Sequence, residues 1–459
     1  MKRLLALARP AVWWAVALGA AAPVRLGAVE RFRPPDFSGS GHELPGTTTP
    51  PPRFGWFEAL DVALLAVALG LAAYLVLRRR SRRGIVWLGV ASLAYFGFYR
   101  RGCVCAIGAV QNVTEGLFSS AYAPPLVVLA FFVLPLAFAL VCGRVFCAAV
   151  CPHGALQDLV ALRPMRVPEW LERGLRVIPF LYLGLGILLA ASGGRYLFCE
   201  FDPFIGLFRL TGTPAMLALG AGFLVVGIFV GRPYCRFLCP YGALLNLCAR
   251  LARWVPRISP DRCIQCHLCE HSCPYGAINL PTPAVAAEPR VTGRRRLAWL
   301  LALVPVLMLA LGWVGSRVAL PLAERQRDVA LAADLIAHEQ TPPPPVVSDP
   351  VKAYRQTGKP IADAVTAGVA AQARFVRRGW IFGLFAGLVV GLALLGQALH
   401  RARTDYEADR GRCVGCGVCF AHCPIEHVRR GTVNDRIPPE IMAAARAADA
   451  TAPPPAAQR

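Results

Sequence analysis

Apolar residues in this chain gather into long runs separated by short polar stretches. Runs near the ~20 residues needed to cross a bilayer occupy 57–77, 84–99 (short), 125–143, 175–192, 213–231, 297–320 and 379–399. An eighth, 10–22, follows Lys2, Arg3 and Arg9 and closes on Gly19-Ala20-Ala21-Ala22, which reads as a signal anchor or a cleaved signal peptide. The pattern predicts an all-α polytopic membrane helix bundle of seven to eight spans. Between the runs, 31–53 reads as an extended Pro/Gly/Thr linker. Segment 321–378 starts helical, breaks at Pro342–Pro345 and resumes, long enough for a small helical cap. The Ala/Pro-rich tail beyond about 440 reads as disordered. The expected organisation is 1–56 anchor and outer linker, 57–254 membrane core of six-helix type, 255–290 and 401–440 two polar cysteine-rich segments, 291–400 a transmembrane hairpin, and 441–459 the tail.

Composition agrees with the runs. Of 459 residues 56% are apolar and 17% charged, against about 25% charged in soluble domains. Net charge is +22. Such a basic excess suits nucleic acid, but here the distribution gives another reason. With the N-terminus inside and the spans alternating, the inside segments 1–9, 78–83, 144–174, 232–296 and 400–459 carry about twice the Lys and Arg of the outside ones. The run Arg78-Arg79-Arg80-Ser81-Arg82-Arg83 anchors that orientation, while Arg100-Arg101 falls outside against it. No nucleic-acid partner is required, and the expected location is the inner (cytoplasmic) membrane. The runs are read as lacking intramembrane acidic residues that would mark a proton path.

The 17 cysteines carry the chemistry. Cys263-x-x-Cys266-x-x-Cys269-x-x-x-Cys273-Pro274 is one ferredoxin-type run, and Cys413-x-x-Cys416-x-x-Cys419-x-x-x-Cys423-Pro424 is a second. Three thiolates two residues apart wrap one face of a cubane, and the fourth, before Pro, ligates the other cluster in two-cluster ferredoxins. One [4Fe–4S] is therefore assigned Cys263, Cys266, Cys269 and Cys423, and the other Cys413, Cys416, Cys419 and Cys273. Zinc ribbons also use Cys-x-x-Cys pairs but do not explain two identical runs closed by Cys-Pro. The two runs must meet for this exchange, and the two spans between them return the chain to the same side. This predicts a small α+β two-cluster ferredoxin-like module, cytoplasmic and split by the hairpin. Cys263-Ile-Gln-Cys266-His267 matches the haem c signature, but its cysteines are already used.

A second motif repeats. Gly143-Arg144-Val145-Phe146-Cys147-x-x-x-Cys151-Pro152-His153-Gly154-Ala155-Leu156 recurs as Gly231-Arg232-Pro233-Tyr234-Cys235-x-x-x-Cys239-Pro240-Tyr241-Gly242-Ala243-Leu244. Cys147, Cys151, Cys235 and Cys239 are candidates for a further metal site, for neighbours of the clusters, or for packing at a membrane-edge turn. A degenerate copy offers Cys103 and Cys105, placed outside with Cys199. These three are candidates for a soft ion such as Cu(I), for a disulfide, or for a structural role. Cys142 and Cys248 read as buried thiols. All eight histidines lie outside the runs, which excludes a bis-histidine haem b in the bilayer, and His267, His271, His422 and His427 read as solvated or as supporting the cluster loops.

The paired Cys-x-x-x-Cys-Pro repeats, the spans and the two ferredoxin runs together resemble the NosR/NapH family of membrane iron–sulfur proteins over about 84–430. The resemblance implies electron movement between the quinol pool or a cytoplasmic donor and a periplasmic reductase or its maturation system. It implies a non-catalytic electron-transfer subunit rather than an enzyme. Two departures stand out. The outer segments carry no flavinylation (FMN) motif of the NosR kind, so a separate periplasmic flavoprotein or reductase is the expected partner. The ferredoxin runs are also split, where the family norm is a contiguous pair. Two other functions compete: a copper-enzyme maturation factor resembling the CcoG group, with Cys103, Cys105 and Cys199 handling copper, and a redox- or iron-sensing regulator.

Overall fold

The computed structural model describes residues 55–102, 105–119, 122–191, 196–256, 258, 263–282, 290–340, 348–398, 403, 405–432 and 437–451. The run 10–22, the linker 31–53 and Cys103 lie outside the described residues. The described residues are predominantly helical, with one two-stranded sheet among them. Among the described residues, four helices are long and apolar enough to cross a membrane: Gly55–Leu77, Glu169–Ala190, Val291–Glu324 and Ile361–Ala398. Leu126–Cys142 and Pro214–Phe229 are apolar but shorter. The run 84–99 becomes an α-helix, Arg82–Ser92, that continues as a π-helical segment, Leu93–Tyr99.

The helix Gly55–Leu77 contains a buried carboxylate that the sequence reading of the runs passed over. Asp61 is 1% exposed. It accepts a hydrogen bond from Tyr95 Oη at 2.8 Å and pairs with Arg100 at 2.5 Å. The pair corrects the reading that no acidic residue lies within the spans and gives Arg100 a local partner.

The chain divides into two compact units, one formed by 1–169, 189–281 and 403–459, the other by 170–188 and 282–402. In the second unit the helices Arg290–Glu324 and Ile361–Ala398 lie against each other along small residues. A methyl group at Gly383 would run into the Leu311 carbonyl, and one at Gly387 into that of Leu307. Such contact lets apolar helices gain packing where lipid is as apolar as Leu. Helices Arg327–Gln340 and Asp349–Gln356 form the cap, with Leu335, Val351 and Ala364 as its core.

The first unit brings the two ferredoxin runs together. Ile278–Asn279 pairs antiparallel with Glu407–Ala408, in the register Ile278 to Ala408 and Asn279 to Glu407. Arg412 donates to the Gly276 carbonyl at 2.9 Å and to Asn279 Oδ1 at 2.6 Å. Residues 439–451, read from composition as the start of a disordered tail, form the helix Pro439–Thr451 instead. Met442 and Ala445 are buried on it, so the Ala-rich stretch has an apolar face to pack.

Candidate iron–sulfur and metal centres

Each Cys-x-x-Cys-x-x-Cys loop must curl so that three thiols face one point, and left-handed backbone supplies the curl. Gln265 and His267 have φ of 51° and 60°, and the equivalent Gly415 and Gly417 have 70° and 75°. Non-glycine residues adopt this region uncommonly, so the first loop holds a conformation that glycine makes easy in the second. After the loops come the short helices Leu268–Ser272 and Val418–His422.

Cys263, Cys266, Cys269 and Cys423 line one cavity together with Ile258, Ile264, His267, Tyr406, Pro424 and Ile425. Burial pushes the Cys269 thiol up to about 12, and neighbouring Cys423, Cys263 and Cys266 raise it further. Tyr406 Oη lies 2.7 Å from His267 Nδ1 at the edge of this cavity. Cys413 is also pushed up to about 12 by burial, with Cys416 and Cys273 beside it. Burial raises Cys419, and Cys413, Cys416 and Cys273 are again its neighbours, followed by Cys269. Clustered thiols raised in this way suit a cationic iron core, because metal binding displaces the proton and relieves their mutual repulsion.

The basic run 78–83 has a use beyond orientation. Arg82 Nη1 donates to the Cys416 carbonyl at 3.1 Å and Nη2 pairs with Asp158 at 2.8 Å. Arg80 pairs with Glu426 at 3.0 Å and lies over the Phe420 ring. Arg430 donates to the Arg79 and Arg80 carbonyls. The helix following the second ferredoxin run is thus strapped to the run of arginines.

The repeated fourteen-residue blocks adopt related turns. Cys151 precedes the helix Pro152–Val160 as its N-cap, and Cys239 precedes Pro240–Arg250 in the same way, each with Pro at the first helical position, where the missing N–H costs nothing. The arginine of each block crosses to the other. Arg232 donates to the Cys147 and Ala148 carbonyls and lies against Gly154. Arg144 lies against Gly242 and donates to Cys147 Sγ at 3.6 Å and to the Gly411 carbonyl at 3.1 Å. A side chain at either glycine would block this crossing, which is what Gly-Ala after Cys-Pro provides.

The four block thiols are electrostatic neighbours. Burial raises Cys151, with Cys235 and Cys147 adding to it, and burial raises Cys239, with Cys235, Cys151 and Cys147 adding to it. Gln157 donates to Cys235 Sγ at 3.2 Å and the Gly242 N–H to Cys239 Sγ at 3.3 Å. Arg232, 1% exposed, pairs with Asp158 at 3.4 Å, and Asp158 accepts from Tyr275 Oη at 2.8 Å. The Nε of Arg144 and of Arg232 are buried without a hydrogen-bond partner. Orphaned donors around four thiols fit an anionic, sulfide-rich group better than they fit plain packing.

The remaining candidates fall differently from their sequence placement. Alternating the spans sets 144–174 and 193–212 on opposite sides. Yet His153 Nε2 lies 3.1 and 3.0 Å from the two carboxylate oxygens of Asp202, and a hydrocarbon core about 30 Å thick cannot lie between them. The cause is that parts of the presumed outer segments are short buried elements. Ala106–Phe118 is a helix with its first six residues buried, and Phe198, Phe204 and Phe208 are buried as well. Cys105 is half-buried and joins His153 and Asp202, whereas Cys199 is exposed. Cys142 is buried and Cys248 half-buried.

Sequence reasoning missed Arg144, Arg232, Gln157, Asp158 and Asp202, and took His153 as a membrane-edge residue. The repeated Gly-Arg opening each block carried a signal for the two arginines. Nothing local marked Asp158 or Asp202, whose partners are remote in sequence.

Comparison with known proteins places these elements. A family model described as a 4Fe-4S binding domain matches residues 124–177 and 213–259, which carry Cys147, Cys151, Cys235 and Cys239. A second model with the same description matches 256–279, the first ferredoxin run. The chain is 26% identical over 182 residues to the putative electron transport protein YccM of Escherichia coli, covering 36% of this chain and 49% of that one. It is 37% identical over 152 residues to NirI of Paracoccus denitrificans, covering 30% and 22%. To the regulatory protein NosR of Pseudomonas aeruginosa it is 30% identical over 254 residues, covering 49% and 35%. The chain therefore spans half or less of the length of these three relatives. No solved structure matches it significantly. Membrane-length apolar helices, ferredoxin cysteine runs and these relatives converge: the chain is similar to membrane iron–sulfur proteins of the NosR/NapH-like, ferredoxin type.

Proposed function

We propose that the first unit is an electron relay with three iron–sulfur centres. Cys263, Cys266, Cys269 and Cys423 hold one [4Fe–4S] cluster, Cys413, Cys416, Cys419 and Cys273 a second, and Cys147, Cys151, Cys235 and Cys239 a third. The observation that carries this reading is the bridging position of Arg144, which donates to Cys147 on one side and to the Gly411 carbonyl, two residues before Cys413, on the other. A cubane cluster, when bound, accepts and releases single electrons. The chain's own groups set the conditions for that exchange. Arg82, Arg144 and Arg232 place positive charge and N–H donors beside the sulfurs, burial excludes water, and Asp158 and Tyr275 hold Arg232 in place. The third set lies among the apolar core segments of the first unit, which supports passage of electrons into the membrane without haem. The proposed donor is the quinol pool or a cytoplasmic reductant, and the acceptor a separate periplasmic flavoprotein or reductase, with the ferredoxin module facing the cytoplasm of the inner membrane.

Iron and acid-labile sulfide on the purified protein test the reading. Three cubanes require about twelve of each per chain and two require about eight. Replacing Cys151 and Cys239 with Ser should remove one cluster's worth of both and leave the other two. Bound zinc with no sulfide would refute the relay. Oxidation of the reduced clusters by a quinone analogue supports the quinol link, and the absence of any response refutes it.

A further inference from the structure

Outside the cysteine-only sets, three donors of different chemistry converge from three segments. The ligand atoms of Cys105, His153 and Asp202 all lie within 4.8 Å of one another. Cys105 precedes the helix Ala106–Phe118, His153 sits in the first turn of Pro152–Val160, and Asp202 lies in the turn before Phe204. His153 and Asp202 are each 3% exposed. We propose that Cys105, His153 and Asp202 form a mononuclear site for a borderline divalent metal ion of the Zn2+/Fe2+ class, distinct from the iron–sulfur sets.

The surroundings hold the donors in place. The His153 ring stands among Phe204, Phe208 and Tyr234 at centroid distances of 5.6, 5.3 and 6.0 Å. Asp202 accepts from the Phe204 and Ile205 N–H groups at 2.9 and 3.2 Å, so its carboxylate is oriented whether or not it also meets a metal. Burial pushes the Cys105 thiol up, and Asp202 beside it pushes further in the same direction. A metal ion that displaces the Cys105 proton brings a thiolate beside the Asp202 carboxylate, and a divalent cation neutralises both charges. One sulfur, one imidazole nitrogen and one carboxylate oxygen favour a borderline ion over Cu(I), which prefers sulfur. Three protein donors leave a fourth tetrahedral position for water or an exogenous ligand. Cys105 is also close enough to Cys151 to influence its thiol, so the site adjoins the third cysteine set.

The full chain, purified in detergent with its clusters intact, is equilibrated with Zn2+ and washed. The expected result is one retained metal per chain in wild type. Its zinc-edge X-ray absorption should show one sulfur near about 2.3 Å and nitrogen or oxygen near about 2.0–2.1 Å. His153→Gln and Asp202→Asn should each weaken Zn2+ retention at least ~10-fold, with cluster EPR and sulfide content unchanged. If the resident ion is iron, wild type carries one iron per chain in excess of sulfide, and both variants lose it. Equal metal retention by wild type and both variants overturns the proposal. An all-sulfur shell does the same, because it assigns the metal to cluster cysteines, and so does wild type that holds neither zinc nor excess iron. If the variants lose their cluster EPR through misfolding, the wild-type absorption shell alone decides. Cluster number does not enter this test, so failure of the relay reading and failure of the metal site are separable.

Discussion

At the scale of single residues, buried charge organises the first unit. Arg232 meets two carbonyls, Asp158 and the face of Tyr275. Removing it leaves Asp158 buried without one of its cationic partners. Breaking a buried pair typically costs about 3–5 kcal/mol, so Arg232→Ala should lower the thermal midpoint in detergent by many degrees. Arg232→Lys should recover only part, since an ammonium cannot reach both carbonyls and the carboxylate. Asp158 also gives an acid-stability signature. Burial alone would raise its pKa, but Arg232 and Arg82 outweigh that and hold it down at about 2. A depressed carboxyl contributes stability above its unfolded value of about 3.9, and that contribution fades as pH falls towards about 2. Denaturation midpoints followed from pH 5 to pH 2 should therefore fall more steeply in wild type than in Asp158→Asn, whose overall stability should be lower at neutral pH.

At the scale of elements, glycine decides how closely parts approach. Gly383 and Gly387 let the two long helices of the second unit touch backbone to backbone. Gly383→Val should force them apart, at an overpacking cost of about 1–3 kcal/mol or more, seen as a lower unfolding midpoint with cluster absorbance retained in the folded protein. Gly417 sits at φ 75° with Ile85 and the Arg82 backbone close to where a side chain would begin. Gly417→Ala should reduce the occupancy of the cluster bound by Cys413, Cys416 and Cys419 and leave the other ferredoxin cluster less affected, read from EPR spin counts. The positions of the long apolar helices were legible in the runs, because twenty apolar residues have few other stable uses. The π-helical segments Leu93–Tyr99 and Phe146–Val150 were not, since only tertiary contacts select a wider turn over an α-helical one.

At the scale of the whole molecule, the prediction concerns which cysteines act together. If the ligands are exchanged between halves, Cys423→Ser should perturb the same EPR signal as Cys266→Ser, and Cys273→Ser the same signal as Cys416→Ser. A grouping of Cys423→Ser with Cys416→Ser would refute the exchange and favour clusters built within each run.

The sequence by itself determined the membrane class, the cysteine chemistry and the need for residues 263–273 and 413–423 to meet, because run length and ligand spacing are local properties. It also exposed the paired blocks, since repetition is visible without coordinates. Only the tertiary structure decided how the blocks engage, with Arg144 and Arg232 crossing between them. It also decided that His153 and Asp202 touch although strict alternation of the spans separates them. Alternation treats every connection as a surface loop, whereas here Ala106–Phe118 and the aromatic residues 198–208 have enough apolar side chain to be buried. Their folding inward sets Cys105, His153 and Asp202 side by side, a juxtaposition that depends on packing between remote segments and leaves no mark in local spacing.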